Sequence, residues 1–107
     1  MPVSQDTLFR CLSDPTRRAI FEHLCLQGAQ NVLALTDRAG ISQPAVSKHL
    51  AVLKRAGLVS GQQEGRQTRY AAQVGALAPL VDWTRQMSPF WDAKLDGLED
   101  LLKRMDQ

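Results

Sequence analysis

The chain has 107 residues, 44% of them apolar and 22% charged, which suits one compact domain with one core. Seven glycines and five prolines exclude collagen-like and low-complexity chains, and apolar stretches such as residues 31–35 fall far short of the roughly 18 residues that span a membrane. The net charge of +2 names no partner, but residues 42–70 carry Lys48, Lys54, Arg55, Arg66 and Arg69 against Glu64 alone, between a neutral N-terminal part and an acidic C-terminal part.

The segment Met1-Pro2-Val3-Ser4-Gln5-Asp6 has neither the basic nor the apolar region of a secretory signal, and two cysteines cannot build a disulfide framework. The expectation is a cytoplasmic protein with reduced thiols. Residues 4–12 put Leu8, Phe9 and Leu12 on one face and predict a short first helix. Ser13-Asp14-Pro15-Thr16 is a helix start, with a capping side chain followed by proline. The second helix has Ile20, Phe21, Leu24 and Cys25 at core spacing and Gly28 as its stop. Asn31 caps a short third helix that ends at Gly40.

Ser42 caps a fourth helix with Pro44 in its first turn, an apolar face of Val46, Leu50 and Leu53, and Gly57 at its end. Residues 32–56, two helices about the turn Ala39-Gly40-Ile41, therefore have the form of a helix-turn-helix. Residues 58–72 predict a hairpin that turns at Glu64-Gly65-Arg66 and carries Arg66 and Arg69. From Leu77 the pattern is helical, with a kink or a fresh start expected at Ser88-Pro89. Trp91, Leu95, Leu98, Leu102 and Met105 then recur four and three residues apart, backed by Leu101. That is more apolar surface than one small domain covers, and it reads as a subunit interface rather than a seam on the chain's own core.

With Val46, Leu50 and Leu53 inward, the fourth helix turns Gln43, Pro44, Ser47 and Lys48 outward near its N-terminus, with His49 at the edge. Glutamine, serine and lysine reach base edges and phosphates in the major groove, and the N-terminal end of a recognition helix enters that groove first. Taken alone, such a helix is an ordinary surface. The basic hairpin directly after it tips the reading, because Arg66 and Arg69 are placed to lie along the backbone or in the minor groove. For His49, base contact and packing weigh equally.

Several segments together carry a resemblance: Asp14-Pro-Thr-Arg-Arg-Ala-Ile, Ile41-Ser-Gln-Pro-Ala-Val-Ser-Lys-His-Leu, Leu53-Lys-Arg-Ala-Gly-Leu-Val and Glu64-Gly-Arg-Gln-Thr-Arg-Tyr. Over residues 6–72 the chain resembles the ArsR/SmtB family of winged-helix transcriptional regulators, and its Trp-containing last helix resembles a subgroup of that family. The resemblance implies a mainly α fold of five to six helices with a two-stranded wing, forming one domain over residues 1–107. It also implies a homodimer joined by helices 4–12 and 77–105, reading a palindromic double-stranded operator, and most members repress. On that pattern Ser42, Lys54, Arg66, Gln67 and Arg69 hold phosphates or the minor groove, while Gln43, Ser47, Lys48 and His49 read bases. Leu8, Cys11, Trp83, Trp91, Leu95, Leu98 and Leu102 form the interface.

Metal-sensing members resemble one another in a cysteine motif on the third helix or in His and Asp ligands on the last. Here residues 31–37 hold no Cys and residues 77–107 hold no Cys or His; Asp82, Asp92 and Asp96 alone are poor selective ligands. No metal or other cofactor is expected. His23 and Cys25, two apart on a helix, point to different faces. Control is left to two alternatives: a thiol switch at Cys11 and Cys25, each more simply a small buried hydrophobe, or an unidentified small effector near Trp83, Phe90 and Trp91. No phosphate loop, dinucleotide fingerprint or metalloprotease motif is present, and Ser47 and His49 are spaced wrongly for a nucleophile and base, so no enzyme is expected. The competing reading is a protein-interaction adaptor that keeps the winged-helix fold without binding an operator.

Overall fold

A computed structural model of the chain describes residues 3–106; Met1, Pro2 and Gln107, the ends of the expected domain, lie outside the described residues. Five α-helices and three short strands follow one another in the order α1 (Gln5–Leu12), α2 (Pro15–Gln27), β1 (Gln30–Asn31), α3 (Val32–Ala39), α4 (Gln43–Arg55), β2 (Val59–Glu64), β3 (Gln67–Ala72) and α5 (Ala78–Met105), with a 3-10 turn over Val74–Leu77 before α5.

Each of the first four helices starts on a side-chain cap that takes an otherwise orphaned backbone N–H. Ser4 accepts from the Thr7 amide, Asp14 from Arg17, Asn31 from Ala34 and Ser42 from Ala45. The C-terminal carbonyls of α1 are taken by the next helix. Arg17 Nε donates to the Cys11 carbonyl, and Arg18 Nη1 donates to the Leu12 carbonyl at 2.8 Å. These arginines thereby lock α1 to α2, with their charge at the negative end of the α1 dipole.

The core joins all these elements: Leu8 and Cys11 of α1, Ile20, Phe21 and Leu24 of α2, Leu35 of α3, Val46, Leu50 and Leu53 of α4, and Ala56, Leu58 and Val59 beyond it. The i, i+4, i+7 spacing of the three α4 residues gives the apolar stripe that seats this helix. Between α3 and α4, Gly40 adopts φ 69°, a left-handed conformation that stops α3 and turns the chain in three residues.

Strands β2 and β3 form the expected hairpin, registered from Val59 opposite Ala72 to Glu64 opposite Gln67. Its two-residue turn has φ 61° at Gly65, and Arg66 has no positive φ, the pattern of a turn with glycine obligatory at the first central position. A third strand was not expected. β1 pairs with β3, Gln30 opposite Tyr70 and Asn31 opposite Arg69, so the sheet order is β1-β3-β2 rather than a free two-stranded wing. Two residues show no alternation, and Asn31 carries a cap signal that points to a helix instead.

Three further expectations are corrected. The last helix runs on through Pro89 without the fresh start expected there, over 28 residues or about 42 Å at 1.5 Å per residue. Proline removes one helical hydrogen bond there, and on an exposed helix the freed carbonyl remains open to water, so no fresh start is needed. Cys25 is exposed, not on the core face, because Ile20, Phe21 and Leu24 define an arc that a residue 100° past Phe21's neighbour Leu24 leaves. Leu8 and Cys11, expected at a subunit interface, are 0% and 4% exposed in the chain's own core. The apolar residue that α1 turns outward is Phe9, which meets Trp83 of α5 edge-on with ring centroids 5.3 Å apart.

Candidate nucleic-acid interface

The interface is built by two neighbouring elements, the N-terminal part of α4 and the wing. Ser42 accepts the Ala45 N–H with its Oγ at 3.3 Å, which opens α4 and leaves the hydroxyl hydrogen free to donate outward. Gln43, Pro44, Ser47, Lys48 and Lys54 are all exposed. On a helical wheel Gln43, Ser47 and Lys54 fall within about 40° of one another, so they form a single stripe along the helix. Unmet N–H groups and the positive end of the helix dipole add to the attraction of this end for phosphate.

His49 is half-buried, and its charge acts on Asp14, the cap of α2. The Asp14 carboxyl is held below its ordinary value first by the N–H of Arg17 and then, against some desolvation, by the charges of His49 and Arg17. Half-buried at the edge of α4, His49 is open to both roles weighed for it, base contact and packing.

The wing supplies the second group of cations. Arg66 stands exposed in the turn and Arg69 exposed on β3. The tip is braced by Gln63, whose Nε2 donates to the Gly65 carbonyl at 3.0 Å, while the Thr68 hydroxyl donates to Gln63 Oε1 at 3.2 Å. Gln67, expected at the nucleic acid, accepts a 2.8 Å hydrogen bond from Asn31 Nδ2 through its Oε1. Its amide nitrogen and the second lone pair of Oε1 are left for an outside partner. Arg55, counted in the basic block by sequence, is exposed at the end of α4 and borders a shallow cleft with Thr7, Arg10 and Val52. The exposed cations of α4 and the wing are Lys48, Lys54, Arg55, Arg66 and Arg69.

Away from this surface, the thiols of Cys11 and Cys25 are both pushed up, Cys11 by burial against a partial offset from Arg17, and Cys25 by burial and the charge of Glu22. Raised values leave little thiolate, the opposite of what a reactive sensor cysteine needs. Among the described residues no three His, Cys, Asp or Glu side chains converge where a metal ion would sit. No helix of the described residues is long and apolar enough to cross a membrane.

A core drawn from α1 to α4, a left-handed glycine between α3 and α4, and a sheet-anchored hairpin beside α4 define a winged helix-turn-helix. Residues 12–62 match the family model described as a helix-turn-helix domain. The chain is 36% identical over 95 residues to the "Probable mercury resistance operon repressor" of Streptomyces lividans, covering 89% of this chain and 75% of that protein. It is 37% identical over 99 residues to the HTH-type transcriptional regulator Rv2034 of Mycobacterium tuberculosis, covering 92% and 89%. Its fold overlays the ArsR-like transcriptional regulator from Rhodococcus sp. RHA1 with a TM-score of 0.69 at 30% identity, covering 90% of each chain. The chain belongs to the ArsR/SmtB family of winged helix-turn-helix transcriptional regulators.

Proposed function

We propose that this protein is a homodimeric, sequence-specific DNA-binding repressor that works in the cytoplasm on palindromic operators. The supporting observation is that the exposed stripe Gln43, Ser47 and Lys54 and the exposed cations Arg66 and Arg69 stand on adjoining elements, α4 and the hairpin that packs beside it. Gln43, Ser47 and Lys48 read base edges, whereas Ser42, Lys54, Arg66, Gln67 and Arg69 hold phosphates or the minor groove, with Pro44 starting the helix at the groove.

Residues 32–56 and 58–72 then form the reading head, and residues 4–12 and 77–105 the joining helices. Dimerisation is supported by α5, none of whose described side chains is buried in the single chain. Trp83, Trp91, Leu95, Leu98 and Leu102 are exposed along it, with Phe9 beside Trp83, in place of Leu8 and Cys11. Trp83, Met87, Phe90, Trp91 and Lys94 all lie along one open face of α5, where a small effector would meet the joining helices.

The test is selection of bound sequences from a random duplex pool. The proposal expects an enriched inverted repeat whose half-sites lie about one helical turn, 34–36 Å, apart or at a multiple of it. A pool that returns unenriched, with duplex retention insensitive to salt, contradicts it and favours the adaptor reading.

A further inference from the structure

Asn31 does three things at once, and they involve the reading helices and the wing together. Its backbone belongs to β1 and pairs with Arg69 of β3. Its Oδ1 accepts the Ala34 N–H at 2.9 Å and so caps α3. Its Nδ2 donates to Gln67 Oε1 at 2.8 Å. The cap fixes which way the amide faces, since only its oxygen can accept from Ala34, and the nitrogen is thereby turned to Gln67. Gln67 forms the last pair of the hairpin with Glu64 and directly follows Arg66.

We propose that Asn31 is a positioning residue for nucleic-acid binding: it clasps the turn end of the wing to the first turn of α3, so that Arg66 and Arg69 engage the same duplex as α4. Asn31 itself touches no nucleic acid. A hairpin held at one end swings about its base, and a swinging arginine loses rotational freedom again on every encounter with phosphate. A clasp beside the turn removes that loss in advance. The inference rests on the reading of Arg66 as a phosphate contact.

Asn31→Ser separates the two side-chain roles, because serine caps a helix as well as asparagine does but has no group long enough to reach Gln67. Without DNA, amide exchange across residues 66–69 should quicken in Asn31→Ser while α3 stays protected. On a duplex selected by the wild type, Asn31→Ser should weaken binding by about threefold to tenfold, toward the low end of the coupling between residues of one network. Arg66→Ala should then cost less in the Asn31→Ser background than in the wild type.

Gln67→Met removes the same hydrogen bond from the exposed partner and should reproduce that loss of coupling, even where the Asn31 variant folds poorly. Additive losses for Arg66→Ala in both backgrounds, with unchanged exchange in the wing, overturn the inference while the wild type still binds DNA. A wild-type chain that retains no duplex at all overturns the parent reading, and this one with it.

Discussion

The winged body and the distal part of α5 use the same apolar residue types to opposite ends. In the body, Leu50, Leu53 and Leu58 are closed off within a core drawn from α1 to β2. Along α5, Leu95, Leu98, Leu101 and Leu102 recur with the same regularity yet stay about half exposed. Only the start of this helix reaches the core, through Leu77 and Leu80. The rod then runs outward and contributes to a long axis of 65 Å, against 34 and 20 Å across the molecule. Apolar periodicity alone therefore marks a face that must be covered; length and exposure decide whether the chain covers it itself.

The sharpest break in this comparison is one substitution made in both places. Leu53→Ala opens a cavity in a closed core and should cost about 2–5 kcal/mol, much of the stability of a small domain, at every protein concentration. Leu98→Ala should leave the folded body intact and lower stability only where dimers otherwise form, so its melting temperature should depend on concentration differently from the wild type's. Denaturation at two concentrations, followed by circular dichroism, separates the two. Equal, concentration-independent losses would show that α5 closes on its own chain.

Smaller effects sharpen the division within the body. Gln43→Ala should erase about 1–3 kcal/mol of discrimination among operator variants at one position, read by competition binding. Arg66→Ala should instead weaken all duplexes alike and lower the salt slope by about 1.

The smallest effect concerns the start of α2. Asp14 is held below the ordinary carboxyl value, so its contribution to stability is full above that value and is lost as the pH falls through the lower folded value. Asp14→Asn keeps the cap without the charge. Its melting temperature should fall less than the wild type's across that acid range, and identical pH profiles would remove Asp14 from the account.

Much of this was legible in the chain, for local reasons. Cap residues and the stop at Gly40 act within a few positions, so helix limits and the helix-turn-helix could be read directly. The stripe on α5 was legible as an unmatched face for the same reason. What stayed hidden depends on distant partners. β1 exists because β3 lies alongside it, and the second hydrogen bond of Asn31 spans 36 residues. Leu8 and Cys11 show the converse: a helix assigned to an interface by resemblance gave its most apolar side chains to the core, and left Phe9 outside.

The central claim is that two chains present paired reading heads through α5, and native mass spectrometry of the protein on a selected duplex tests it most directly. The account predicts two chains bound to a duplex carrying both half-sites, and loss of that complex in a variant with Leu98→Glu and Leu102→Glu that still folds. One chain per duplex in the wild type, or an unaffected two-chain complex in the variant, would contradict it.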